Sequence, residues 1–325
     1  MNNISETWYA VVNPNAGSGK TLAQWRHAES ILYSKGIPYR FTIPETLSDS
    51  KIKIASACKE GYRHFIAVGG DGTVHNLLCS IAEFVEKASE EPGAEVHLTD
   101  FYLAVLPIGS GNDWLRSHRI PSDCEKIIEL ISRNSFGRQD VVKVEILEPE
   151  TGKIANVAYM ANIGGYCFDA NVCDVVNFQK TNGVTGKLLY FNAVKNKAKE
   201  QKAYKTRIVC DGQTIFDDLL YSMSIGNGKY SGGGLCQTPS AVMDDGILDI
   251  MIAPKFPIIK LVTSLHKVLE KRMEDIDFLQ FARARDIRIE PYGQGQLVEV
   301  DGDIVGRAPA HLFVLDEQIN VLDQN

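Results

Sequence analysis

Residues 67 to 76, AVGGDGTVHN, leave an apolar run without a spacer and enter a stretch that sets Val74, Leu77, Leu78, Ile81 and Val85 on one helical face. An apolar strand that turns into an amphipathic helix through glycines is the joint of a parallel α/β unit, so this stretch restricts the fold more than any other. The pattern around it repeats. TWYAVV, YRFTI, HFIAVGG and FYLAVLP read as strands, and they alternate with helical stretches beginning TLAQWRHAES, SDSKIKIASA, TVHNLLCSIA and DCEKIIELIS. Such alternation predicts a parallel sheet with helical crossovers, and ligands beyond the carboxyl ends of its strands.

Beyond about Gly137 the texture changes. DVVKVEIL, VAYMANIG, KTRIVCDG, LLYSMSIGNG, GILDIMIA, DIRIEP, QLVEVDGD and HLFVLD are short, rich in β-branched residues and separated by turn signals. They predict a largely antiparallel β domain of sandwich type, with helical insertions at roughly 172–200 and 256–280. The expected division is a nucleotide-binding α/β domain over 1–136 and a β-sandwich domain over 137–325, joined through the polar RNSFGRQ.

The formal charge of −7 argues against a general basic surface for nucleic acid. Seven scattered cysteines without a C-x-x-C pair fit reduced thiols, and the polar start MNNISET lacks the pattern of a secretory leader. A cytoplasmic protein is expected. No run is long and apolar enough to span a bilayer, so contact with a membrane would be peripheral. The basic run KNKAKEQKAYK, residues 195 to 205, suits either a solvated helix face or attraction to anionic headgroups.

Three loops carry the chemistry. NPNAGSGKT, residues 13 to 21, ends like an ATP-binding P-loop, but the first glycine of that pattern would fall at Pro14, which has no N–H to offer a phosphate. A glycine-rich turn before a helix still suits an anion. In the second loop Gly69, Gly70 and Gly72 clear the backbone, Thr73 can cap the helix, and Asn76 lies one turn on. Asp71 among them would hold Mg²⁺ or accept a proton from an attacking hydroxyl; the plainer reading is a helix cap. LPIGSGNDWLR, residues 106 to 116, is a third such turn, with Asn112 and Asp113 as hydrogen-bonding groups. Asp140 reads as structural, at a strand start that borders this region, and His75 as a packed or surface histidine.

Taken in order, Asn13-Pro14 with Gly17 and Gly19, Gly69-Gly70-Asp71-Gly72-Thr73, and Pro107-x-Gly109-Ser110-x-Asn112-Asp113 resemble the diacylglycerol kinase catalytic-domain family. In the second half, GNGKYSGGGLCQTPSAVMDDGILDI and VEVDGD are similar to that family's glycine-rich and Asp-Gly-Glu elements. The likeness extends over nearly the whole chain. It implies an α/β domain of NAD-kinase or phosphofructokinase type that binds ATP, and a C-terminal β-sandwich.

By position it implies that Asn13, Gly17, Lys20, Gly69, Gly70, Gly72, Thr73, Asn76, Gly109, Ser110 and Asn112 serve the nucleotide. Lys20 aligns across two extra residues, Ser18 and Gly19. Asp244 and Asp245 would match an acidic segment near a structural Mg²⁺. Asp303 stands where many members have the glutamate proposed as general base, leaving Asp303, Asp301 and Asp71 as candidates. Lys180 or Lys187 would supply a lysine of the family's charged network.

The implied activity is Mg²⁺-dependent transfer of the ATP γ-phosphate to a hydroxyl of diacylglycerol or a sphingoid-type lipid, with a place in phospholipid and lipid metabolism. The partners are then a membrane lipid and a peripheral membrane surface, with no nucleic acid; oligomeric state is left open, a homodimer included. Two rivals stand beside it. One is a soluble-metabolite kinase such as an NAD kinase; the other is a nucleotide-binding module without catalysis, favoured only by the Glu-to-Asp change at 303.

Overall fold

A computed structural model describes residues 4–19, 21–91, 93, 95–108, 112–181, 193, 197 and 202–324. The chain forms two compact units, residues 1–141 with 316–325, and residues 142–315.

The first unit is the α/β unit. Its strands are β1 (Trp8–Val12), β2 (Tyr39–Thr42), β3 (His64–Gly69) and β4 (Tyr102–Pro107). They pair in parallel in the order β2-β1-β3-β4. Between them run α1 (Thr21–Ser34), α2 (Leu47–Lys59) and α3 (Asp71–Ser89), followed by the short α4 (Asp113–Ser117) and by α5 (Cys124–Ser132). β1, β3 and β4 are almost wholly apolar and buried, as strands covered on both faces must be. α3 brings Val74, Leu77, Leu78 and Ile81 into the core, and α5 brings Ile127, Ile128 and Ile131.

The second unit is antiparallel. β5 (Phe136–Leu147) leads into it, followed by β6 (Ile154–Met160) and β7 (Ile163–Cys167), and then by α6 (Phe168–Thr181). β8 (Tyr204–Cys210) and the long β9 (Gln213–Gly226) form a hairpin. The two-stranded β10 (Tyr230–Ser231) and β11 (Leu235–Cys236) come next, then β12 (Leu248–Pro254), α7 (Ile258–Leu269), β13 (Gln280–Ala284) and β14 (Asp286–Pro291). β15 (Leu297–Val300), β16 (Asp303–Arg307) and β17 (Ala310–Leu322) complete it. Alternating residues of these strands, among them Val142, Val144, Tyr166, Ile208, Met223, Ile225, Ile250, Ile287 and Val298, bury one core.

The expected α/β plus β-sandwich architecture is what the chain forms. The units divide at 141/142 where the sequence reading set 136/137, and residues 316–325 rejoin the first unit. The end of β17 returns to the first unit, where Asn320 and Val321 pair in parallel with Tyr102 and Leu103 of β4. HLFVLD gives no local sign of this, because a strand's partner is set by long-range pairing and not by its own residues.

Candidate functional site

The three loops read from the sequence follow β1, β3 and β4, neighbours in one parallel sheet, so they share the carboxyl end of that sheet. They are tied to one another. Asn13 Nδ2 donates to Thr73 Oγ1 at 3.2 Å, and the Asn13 backbone N–H donates to the Val68 carbonyl at 3.0 Å. Ile108 N–H donates to the Gly69 carbonyl at 2.8 Å, joining the second loop to the third. The carboxylate of Asp71 accepts the backbone N–H of Trp114 at 3.0 Å, so it caps α4 across the two loops.

The glycines of this region do different work. Gly17 has φ +57°, and a Cβ there would lie 2.7 Å from Ile108 Cγ2. A Cβ on Gly69 would lie 2.1 Å from Thr73 Oγ1, so this glycine makes room for the Asn13–Thr73 bond rather than for a ligand. Gly72 faces open space and gives the loop its clear approach. Gly70 is the N-cap of α3 and, having no side chain, makes no capping bond. Thr73 sits inside the helix instead of capping it. The Gly70 carbonyl takes the Thr73 and Val74 N–H groups, and the start of this 19-residue helix presents its positive dipole end to an anion.

Several sequence-predicted residues are placed elsewhere or otherwise engaged. Asn76 points away from the loops: its Nδ2 donates to Ser50 Oγ of α2 at 2.7 Å, which makes it an α2–α3 packing residue. Asn112 takes the left-handed conformation, φ +51°, before α4, and the buried Asp113 is ion-paired with Arg116. Lys20, Gly109, Ser110 and Lys187 lie outside the described residues, as does most of the basic run at 195–205; Lys180 belongs to α6 by its backbone only.

α4 is held by a network that the sequence did not reveal. Trp114 is 1% exposed, and its Nε1 donates to Gln139 Oε1 at 2.8 Å. The His118 Nε2 reaches the same oxygen at 2.8 Å, and its ring lies 4.2 Å from that of Trp114. Burial pushes the His118 imidazole down to about 4, against the hydrogen bond to Gln139 and the charge of Asp323, which pull it up. The folded ring thus stays neutral where an unfolded one takes a proton. Its contribution is complete above pH 6.5 and is lost as the pH falls from 6.5 toward 4. Because the residue as a whole is only half-buried, the expected loss between pH 7 and pH 5 is on the order of 1–2 kcal/mol. Urea unfolding followed by tryptophan fluorescence checks this, since Trp8, Trp25 and Trp114 all belong to the first unit. A His118→Gln protein should show a flatter dependence over the same range.

In the second unit, the VEVDGD segment forms the turn between β15 and β16. Asp301, one of the three candidate bases, has both its oxygens engaged by backbone. Oδ2 accepts Ala161 N–H at 2.6 Å, and Oδ1 accepts Asn162 and Ile163 N–H at 2.8 and 3.0 Å. It clamps the β6–β7 turn. The Gly302 carbonyl is held from the other side by Asn177 Nδ2 at 2.7 Å and Cys173 Sγ at 2.9 Å, both on α6. Asp303 begins β16 and is exposed.

Beside this turn two buried carboxylates converge. Gly165 of β7 pairs with Glu299 of β15, and a Cβ on Gly165 would lie 2.7 Å from Asp169 Oδ2 and 2.9 Å from Glu299 Oε1. Asp169 Oδ2 also accepts Ser224 Oγ at 3.1 Å and Gln237 Nε2 at 3.0 Å. Neither acid stood out in the sequence; the bare Gly164-Gly165 pair inside an apolar strand was the available sign.

Asp245, one of the two acids expected near a metal, is engaged by protein groups. Asp245 is ion-paired with Arg283 and accepts Ile247 N–H at 3.1 Å, while Asp249 shares the same guanidinium at 3.2 Å. The guanidinium already supplies the positive charge a cation would bring. Among the described residues no group of three His, Cys, Asp or Glu side chains is placed to hold a metal ion. No helix among them is long and apolar enough to cross a membrane.

Comparison with known proteins agrees with this arrangement. Residues 7–144 match the model of the diacylglycerol kinase catalytic domain, and residues 164–323 match that of the YegS C-terminal NAD kinase beta sandwich-like domain. A diacylglycerol kinase of Mycobacterium tuberculosis (strain CDC 1551 / Oshkosh) is 26% identical over 314 residues, 96% of this chain and 94% of that protein. One of Staphylococcus aureus (strain MRSA252) is 23% identical over 319 residues, 97% of this chain and 91% of its own. Among solved structures, a diacylglycerol kinase from Bacillus anthracis str. Sterne superposes with a TM-score of 0.68 at 17% identity, covering 100% of this chain and 98% of that one.

Proposed function

We propose, for a chain that belongs to the diacylglycerol kinase catalytic-domain family, that it transfers the γ-phosphate of ATP to a hydroxyl of diacylglycerol or a sphingoid-type lipid. The observation that carries the reading is the bonding of the three loops to one another at one end of the parallel sheet, around a helix N-terminus whose N-cap, Gly70, has no side chain. Phosphoryl transfer asks a protein for in-line positioning and charge stabilisation more than for covalent chemistry. Backbone N–H groups of the first turn of α3 hold phosphate oxygens, and the open face at Gly72 lets them approach. Asn13, Thr73 and Asp71 fix the loops so that those groups stay aligned.

Since the Asp245 carboxylate is already paired with Arg283, we assign magnesium to the nucleotide, as Mg-ATP. There it would neutralise charge on the phosphates. Asp71 and Asp303 are the carboxylates proposed to accept the hydroxyl proton or to orient the groups that do; Asp301 is committed to its turn.

The test is transfer of labelled phosphate from Mg-ATP to mixed micelles carrying diacylglycerol, monoacylglycerol, sphingosine or ceramide, with NAD as a soluble acceptor alongside. Label in a lipid establishes the activity and names the acceptor. Label in NAD alone replaces this reading by a soluble-metabolite kinase. Nucleotide binding without transfer to any acceptor leaves a non-catalytic module.

A further inference from the structure

The segment from Lys255 to Arg272 runs against the charge of the rest of the chain. It carries Lys255, Lys260, Lys267, Lys271 and Arg272 against the single acid Glu270, in a protein of net charge −7. Within it α7 spaces Ile258, Leu261, Val262, Leu265 and Leu269 at helical intervals of three and four, with Lys260, Thr263, His266 and Lys267 between them. A short amphipathic helix with lysines and no acid before residue 270 has the composition that settles in a lipid interface.

The two ends of the helix differ. The carboxyl end is fastened to the protein. Val268 packs on Met251, Met273 and Ile276, the Lys267 ammonium donates to the Asp275 carbonyl, Arg272 pairs with Glu270 and Asp275, and Lys271 lies 5.1 Å from the Tyr230 ring. At the amino end Lys255 and Lys260 are exposed, and Ile259 is 63% exposed. Phe256, two residues before the helix, belongs to a stack of four rings. Phe168 lies 5.0 Å from Tyr221, Tyr221 lies 4.8 Å from Phe256, and Phe256 lies 4.3 Å from Phe278. The Tyr221 side chain is only 8% exposed, and its hydroxyl has no hydrogen-bond partner among the described residues. A buried hydroxyl in a hydrocarbon stack loses free energy unless an acceptor or donor comes to it. An ester or headgroup oxygen of a lipid would serve. The stack begins at Phe168, the residue before the buried carboxylate of Asp169.

We propose that the start of α7 and the residues leading into it, through Lys255, Ile259 and Lys260, close in sequence to Phe256 of the Phe168–Tyr221–Phe256–Phe278 stack, dock the β unit on an anionic lipid surface. The assignment rests on the lipid-acceptor reading for its purpose but is measured without turnover. The lysines supply attraction to anionic headgroups, and Ile259 supplies an apolar contact that salt does not screen.

Cosedimentation of the full chain with phosphatidylcholine vesicles, with and without phosphatidylglycerol, tests it. The wild type should partition onto the phosphatidylglycerol vesicles and release as salt is raised. Lys255→Glu/Lys260→Glu and, separately, Ile259→Asp should each lower the partition about tenfold or more, with unchanged circular dichroism. Turnover on a monomeric short-chain diacylglycerol should stay at the wild-type value in these variants. Equal binding to neutral vesicles, or variants that partition like the wild type, overturns the proposal, as does self-association through this face in place of vesicle binding. Charge-dependent binding by a protein that phosphorylates no acceptor would leave the docking face standing and remove the lipid-kinase reading.

Discussion

Asp71→Ala lowers kcat/KM for the lipid acceptor by about a thousandfold, within the range usual for loss of a positioned proton acceptor or of the loop alignment around it. Two causes contribute, and they separate. The carboxylate accepts the Trp114 N–H, so its removal frees the start of α4, at a cost of about 1 kcal/mol in stability. It also sets a carboxylate beside the three glycine-rich loops. Asp71→Asn keeps an oxygen for Trp114 and loses only the charge. Asn is therefore expected to restore the urea midpoint, read by tryptophan fluorescence, while labelled phosphate transfer stays at the level of the alanine protein. Full activity in Asp71→Asn would reduce Asp71 to a cap and leave the proton to Asp303, whose Asp303→Asn variant then becomes the inactive one.

Asp301→Ala has the second large effect, and it falls on stability. Three backbone N–H groups, of Ala161, Asn162 and Ile163, lose their acceptor together. Unsatisfied donors in a partly buried turn cost about 1–3 kcal/mol each, and water recovers part of this, so a loss of about 3–5 kcal/mol is expected. Asp301→Asn keeps the oxygen shared by Asn162 and Ile163 but sets an amide N–H toward that of Ala161, and should fall between the two. The residue has φ +50°, a conformation asparagine tolerates better than alanine, which widens the gap between the variants. Urea unfolding followed by far-UV circular dichroism measures it. A loss below about 1 kcal/mol in the alanine protein would show that water replaces the carboxylate in full.

These two aspartates also mark how far the sequence could be read. Asp71 lies in a strand–glycine–helix joint, and its setting follows from neighbours a few residues away, all visible in AVGGDGTVHN. Asp301 and Asp303 are two residues apart in VEVDGD and locally alike. What the sequence could not give is the contact of Asp301 with residues about 140 positions earlier in the chain, in the β6–β7 turn. Asn76 is a similar case: at helical spacing from Asp71 it reads as part of the loop, yet Ser50 of α2 takes its amide.

By itself the sequence determined the order and kind of the elements, because a period of two or of 3.6 and the glycines between them are local properties of the chain. It also determined that three glycine-rich turns would share one sheet end, since consecutive parallel strands must deliver their loops to the same side. The tertiary structure alone decided the return of the last strand to β4, the meeting of Asp169 and Glu299 over Gly165, the capture of Asp245 by Arg283, and the assignment of Asp301 to a turn. Each of these joins residues far apart in sequence, and a side chain's partner across such a distance is set by how whole strands pair and pack, which no short stretch of residues encodes.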